Sequence, residues 1–269
     1  MIKHVVCYSG GHSSALVAIE VFRKYGNENL ILLNHDICPS VEAADIKRFK
    51  QEIAKHIGVP ITFANMPDFE SKDQFDVVVE AQAFKVGNGT ALCTNRLKTG
   101  PFEKYLAEHF ADKKCVLYYG FDPQEKIRIQ RRAQILGVQG YKTAFPLAFW
   151  KRTIRSTQEI GVAPPLSYGV FKHGNCVGCL KAGRQHWYVV YCTRRDIWKR
   201  GKWAEEEIGY TIIKGISLLE LEPLFKRMKK AGIEPTEKIP APTFWKMVRD
   251  KLKDQISEDE TMKPCECVI

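Results

Sequence analysis

Apolar positions along the first half of the chain fall into two alternating registers. Short apolar runs at His4–Tyr8, Leu30–Leu33, Ile61–Ala64 and Cys115–Gly120 read as buried strands. Between them the apolar positions take helical spacing. Leu16, Ile19, Val21 and Phe22 share one side of a helix over Ser13–Tyr25. A second helix spans Glu42–Ile57 and is stopped by Gly58 and Pro60. Pro101–Phe110 is a third, with proline in its first turn, and Gln124–Leu136 is a basic fourth. Residues 68–89 are polar and mixed, predicting a weak helix plus a loop. Strands alternating with helices imply right-handed crossovers and a parallel sheet wrapped by helices, an α/β Rossmann-like fold. Such sheets bind ligands beyond the carboxyl ends of their strands. Ser9–Ser14, Asp36 and Gly120–Glu125 occupy those ends.

Beyond about residue 150 the pattern changes. No convincing strand follows, and "APPLSYGVFKHGNCVGCLKAG" is a Pro/Gly loop carrying a CxxC. Helical patches follow near 183–208, 217–231 and 242–254. The expected organisation is a nucleotide-binding α/β domain over 1–150, a CxxC loop with a helical part over 151–255, and a mobile tail over 256–269.

Composition narrows the classes. The 269 residues suffice for one sizeable α/β core. The net charge of +10 favours anionic partners such as nucleotides or nucleic acid. No apolar run is long enough to span a membrane, and the run in "MIKHVVCYSGG" is too short for a signal peptide, so a cytoplasmic location is expected. In that compartment the nine cysteines argue against a disulfide framework. Cys7 and Cys115 lie in apolar runs and read as small buried hydrophobes.

The segment "SGGHSS" joins the first strand directly to the first helix. A helix N-terminus carries unpaired N–H groups and a partial positive charge, and glycines before it let a phosphate approach the backbone. Ser9, Ser13 and Ser14 add hydroxyls, with Gly10, Gly11 and His12 between them. The alternative is a tight turn with a serine N-cap. The spacing fits neither GxxxxGK[ST] nor GxGxxG.

Five segments in order carry a resemblance. "CYSGGHSSAL" resembles the SGGxDS loop of the PP-loop nucleotide-binding proteins, the ATP pyrophosphatases and the phosphoadenylyl-sulfate (PAPS) reductase family. "NHDICPSVEAADIKRF" resembles that family's DTGxxxPET segment, with Asp36, Pro39 and Glu42 matching. "LCTNRLKTGPFEKYL" is similar to CCxxRKxxPL through Cys93, Arg96, Lys98 and Pro101. "YYGFDPQEKIRIQRR" is similar to GxRxxES through Gly120 and Glu125. The stretch from Phe145 to Cys179 resembles the family's PLxxW…PLYxxG…GCxxC region.

The resemblance implies a loop that holds the phosphates of ATP or of a related adenine nucleotide, assisted by Mg²⁺, and attack at an activated phosphorus or sulfur. Five positions depart from the pattern: His12 for Lys, Ser13 for Asp, Asp122 for Arg, and Lys151 and Arg152 in the later segment. Ser13 removes a carboxylate placed to help hold Mg²⁺. Lys98, Arg96 and Arg128 are candidates to neutralise phosphate or sulfate oxygens. Asp36 is a candidate for the nucleotide edge or Mg²⁺, with an Asx turn as the alternative.

In iron–sulfur members of the family a Cys pair joins a later CxxC. Here Cys93, Cys176 and Cys179 would supply three thiolates to a [4Fe–4S] cluster, with Cys192, His173 or His186 as a fourth ligand; Zn²⁺ is the alternative, and so is no metal. Glu266–Cys267 is the nearest match to the reductases' C-terminal catalytic thiol.

The resemblance therefore implies an enzyme that adenylates a substrate and transfers sulfur, with nucleic acid (tRNA or DNA) as an acceptor and a sulfur-donor protein. One alternative is a sulfonucleotide reductase using Cys267 and a thioredoxin-like reductant. Another is a non-catalytic nucleotide- or nucleic-acid-binding module. "KRTIR", "RRDIWKRGKW" and "FWKMVRDKLK" mix cations with aromatic rings in a way that suits nucleic acid, or equally amphipathic helices with Trp198 and Trp245 buried.

Overall fold

The computed structural model describes residues 1–87, 89–172, 174 and 176–253. These divide into two compact units interleaved in sequence. The first comprises Met1–Asp36, Ala43–Phe69 and Leu97–Leu166; the second takes Ile37–Glu42, Glu70–Arg96 and the chain from Ser167 onward.

The first unit is a parallel sheet of five strands: β1 Lys3–Cys7, β2 Leu30–Asn34, β3 Ile61–Phe63, β4 Cys115–Tyr118 and β5 Lys142–Ala144. Their order is β3-β2-β1-β4-β5. The chain starts in the middle, winds outward through β2 and β3, and returns to the other side of β1 as β4. The direction of winding thus reverses between β1 and β4, the position outside whose strand ends open α/β sheets generally bind ligands.

Alternation along β1 explains why both faces are covered. Val5 and Val6 point to opposite sides and are both fully buried. Val6 joins Leu16, Ile19, Phe49 and Ile53, contributed by helices α1 (His12–Tyr25) and α2 (Ala44–Ile57). Val5 joins Phe102, Leu106, Leu117 and Leu136, from β4 and the helices Gly100–His109 and Lys126–Val138. Burying each valine contributes about 1.5–3 kcal/mol. The buried carboxylate of Glu20 on α1 accepts hydrogen bonds from Thr153 N (2.6 Å), Thr153 Oγ1 (2.9 Å) and Ile154 N (3.1 Å), tying residues 153–154 to that helix.

The second unit is helical. Helices Arg184–Thr193, Arg195–Ile208, Leu218–Lys230 and Ala241–Leu252 bury Trp187, Tyr188, Trp198, Phe225 and Phe244. Trp198 and Trp245 are both buried, so the aromatic residues of "RRDIWKRGKW" and "FWKMVRDKLK" at these two positions serve the core. Among the described residues no helix is long and apolar enough to cross a membrane.

Candidate functional site

The loop from β1 into α1 is built around Gly10. Its φ of +81° lies in the left-handed region that a side chain disfavours. A Cβ there would also stand 2.6 Å from Lys50 Cγ and Cδ. Gly11 occupies the N-cap of α1 with no side-chain capping bond, and the first turn has no acidic residue. The start of the helix therefore keeps its positive end uncompensated by side chains. Ser14 is buried and donates back to the Gly11 carbonyl (2.8 Å), and Ser9 Oγ donates to Ser14 Oγ (3.2 Å). These two hydroxyls set the shape of the loop. Ser13 sits half-buried in the first turn.

Lys50 is the residue that sequence reasoning missed. On α2 it reads as one charge of a solvated helix face, yet only 2% of it is exposed. Its ammonium donates to Asp36 Oδ1 (3.0 Å) and Asn34 Oδ1 (3.3 Å). Lys47, one turn earlier, reaches the same Asp36 oxygen at 2.8 Å. Burial opposes ionisation of Asp36, but the Lys47 and Lys50 ammoniums outweigh it and hold the carboxyl below its usual value. Lys47 and Lys50 thus bring two ammoniums to the Asp36 carboxylate, and the stem of Lys50 lies against Gly10. The only sequence signal for Lys50 is its helical register with the buried Ile46, Phe49 and Ile53.

Gly120, beyond β4, has a steric role. A Cβ on it would approach Ser13 C at 3.0 Å and Ser14 N at 3.1 Å, so glycine lets the end of β4 pack on the first turn of α1. Glu125 accepts from Asp122 N (2.9 Å) and from the Arg128 guanidinium. Arg128 lies over the Phe121 ring at 4.4 Å. Two departures from the family pattern meet here, because Arg152 Nη2 donates to Asp122 Oδ1 at 2.6 Å. His12 opens α1 and its Nε2 accepts from Thr157 N (3.4 Å); burial lowers its pKa. Lys98 is half-buried in a π-helical turn, Asn95–Thr99, and belongs to the first unit. His35 follows β2. Burial lowers its pKa; the Ala64 carbonyl, to which Nδ1–H donates, opposes this, and the Lys98 charge adds to it. Arg96 is exposed and belongs to the second unit.

The donor set does not fit a Mg²⁺ held by the protein at this loop. Ser13 is no ligand equivalent to a carboxylate, and Asp36 is engaged by two ammoniums.

In the second unit Cys176–Cys179 forms a tight turn. Gly178 has φ +74°, and a Cβ there would meet Ile197 Cγ2 at 2.4 Å. Such a turn can aim amides at a thiolate, but here Gly178 N and Cys179 N donate to His186 Nε2 at 3.1 and 3.2 Å. Nδ1–H of His186 faces Glu237 Oε1 at 2.9 Å. Both ring nitrogens of His186 thus have hydrogen-bond partners here. Cys192 lies on the helix Arg184–Thr193, where burial pushes its thiol pKa up and the Tyr188 hydroxyl opposes that. Among the described residues no three His, Cys, Asp or Glu side chains are gathered to hold a metal. Cys93, Cys176, Cys179 and Cys192 all belong to the second unit and are each half-buried. His173 and Cys267 lie outside the described residues.

An open cavity of about 480 Å³ in the second unit is lined by Cys38, Ser40, Glu70, Asp73, Asp76 and Arg200. Arg200 pairs with Asp73 (3.0 Å) and Asp76 (2.7 Å), and Cys38 Sγ lies against Ser40 Oγ and the Glu70 carbonyl. The polar groups there are largely committed to one another.

Comparison with known proteins gives one distant likeness. The chain is 26% identical over 208 residues to the "Uncharacterized nin region protein ORF290" of Escherichia phage lambda, covering 68% of this chain and 67% of that one. No family model matches the chain, and no solved structure matches it.

Proposed function

We propose that this protein is a PP-loop-type enzyme that binds an adenine nucleotide through its phosphates at Ser9–Ser14 and transfers the activated group. One observation carries the reading: at the reversal of strand order, the uncapped start of α1 stands beside a left-handed Gly10 backed by the buried Lys50. The amides of the first turn receive phosphate oxygens. The Lys50 stem against Gly10 and the Lys47 and Lys50 ammoniums at Asp36 place cationic groups close to the loop, which favours an anion there. The five family-like segments supply the adenine specificity and the class of chemistry, which is adenylation of an acceptor oxygen with release of pyrophosphate followed by sulfur transfer. Calorimetric titration with ATP, AMP and adenosine tests the binding. Affinity that rises with phosphate number is expected. No binding of ATP at millimolar concentration, or equal binding of adenosine, overturns the reading. Release of pyrophosphate from ATP in the presence of an acceptor tests the chemistry.

One observation favours a second reading. Asp36 is committed to two lysines, so the site neutralises its ligand with ammonium and amide groups rather than through a metal. That suits an adenylated sulfate, the substrate of the reductases. Tighter binding of adenylated sulfate than of ATP in the absence of Mg²⁺ selects this reading.

A further inference from the structure

We infer that the exposed face of the helix Lys126–Val138, together with Phe149, is a docking surface for single-stranded nucleic acid. The surface belongs wholly to the first unit and does not rest on the nucleotide reading of Ser9–Ser14.

Three features of this helix work against stability and serve no packing purpose. It carries Lys126, Arg128, Arg131 and Arg132 and no acidic residue. Two of these cations stand in its first turn, where the helix dipole disfavours positive charge. Its apolar residues are also misplaced for a core. Only Ile129 and Leu136 are buried, whereas Ile127 is 80% exposed and Val138 86%.

The cations rest on an ordered aromatic base. Tyr119, Phe121 and Phe145 lie nearly parallel, with centroids 5.7–6.0 Å apart. The Arg128 guanidinium lies 4.4 Å from the Phe121 ring centre, and that of Arg132 lies 5.4 Å from Tyr119. Both guanidinium planes are thereby held in place before a ligand arrives. Phe149 continues the cluster, edge-on to Phe145 at 6.5 Å, and is itself 72% exposed. Among the described residues, Glu125 partly offsets Arg128, and no ion pair is seen for Lys126, Arg131 or Arg132.

A partner that fits must be polyanionic and must bring flat or apolar groups to Ile127 and Phe149. A single nucleic-acid strand does both. Its phosphates meet the arginines and lysine, and its unpaired bases stack on the exposed ring. A duplex hides its bases and would leave Phe149 unused.

The test uses the full chain and a fluorescein-labelled mixed-sequence twelve-mer, made once as RNA and once as DNA, titrated by anisotropy from 25 to 300 mM salt. Binding of at least one of the two probes is expected. The triple variant Lys126→Gln/Arg131→Gln/Arg132→Gln, at helix positions outside the nucleotide-site candidates, is expected to bind at least tenfold more weakly at low salt. Its log–log salt slope should be shallower by roughly two, since each phosphate contact contributes about 0.7. Phe149→Ser is expected to weaken binding severalfold with the slope unchanged, because stacking releases no counterions. Circular dichroism and calorimetric ATP titration on each variant separate loss of this surface from loss of fold or of the nucleotide site. The inference is overturned if neither probe binds the wild type, or if the triple variant keeps the wild-type affinity and slope. It is also overturned if sedimentation shows the face closed in a dimer that the oligonucleotide does not compete with.

Discussion

Gly10 lies against the stem of Lys50, so close that a single added carbon would stand 2.6 Å from two of its methylenes. The contact couples a loop that must stay narrow to a lysine that cannot move aside, because Asp36 and Asn34 hold its ammonium. Gly10→Ala meets two penalties, a left-handed φ costing about 1–2 kcal/mol and a clash with a buried side chain. Urea unfolding is expected to show a loss of about 2–4 kcal/mol, and ATP titration a loss of affinity exceeding tenfold. Unchanged stability would mean that Lys50 is not fixed.

The Asp36 carboxyl, held below its usual value by Lys47 and Lys50, makes stability depend on acidity in a defined direction. Its contribution is fully present above the unfolded carboxyl's pKa and is lost as pH falls through the lower, folded value. Wild-type stability, followed by urea unfolding from pH 6 down to pH 2.5, is expected to fall more steeply than that of Asp36→Asn. Parallel curves would show that the pairing carries no linkage.

His186 holds the Cys176–Cys179 turn by accepting two amides. In His186→Ala those amides and the Glu237 carboxylate lose their partner. A destabilisation of about 2–3 kcal/mol is expected. Modification of the thiols by an aromatic disulfide reagent is expected to quicken at Cys176 and Cys179 and to stay unchanged at the buried Cys115, as read by peptide mass mapping.

Glu20 spends both carboxylate oxygens on Thr153 and Ile154. Glu20→Gln keeps the shape but turns an NH₂ toward donors. A loss of about 1–3 kcal/mol is expected, with faster hydrogen exchange at the Thr153 and Ile154 amides.

The sheet is legible in the sequence wherever a strand is buried on both faces. Val5 and Val6, or Leu32 and Leu33, give continuous apolar runs that only a covered parallel strand explains. The edge strand β5 is not legible: "KTA" is short, half polar, and paired on one side only, by β4. The helical stretch near 183–208 proves to be two helices that meet at Arg194, a break that no glycine or proline marks. Of the site, the glycine loop is legible because φ > 0 and a close approach demand glycine. Lys50 is not, since a lysine's letter carries no sign of burial. His186 is legible as a metal-type residue beside a CxxC, but its pairing with the Glu237 carboxylate, 51 residues on, leaves no local signal. The change of pattern near residue 150 is real in composition, but compact units form by contact, and residues 37–42 and 70–96 join the later chain.

The central place of β1 has a consequence for synthesis. β1, which leaves the ribosome before both of its neighbours, is flanked in the finished sheet by β2 on one side and by β4 on the other. One hydrogen-bonding edge of β1 therefore waits, unpaired by its native neighbour, until Cys115–Tyr118 has been translated, an interval on the order of five to twenty seconds at ordinary elongation rates. A nascent chain that stalls before that point displays a bare apolar strand, and such stalled chains become clients for chaperones or seeds for aggregation.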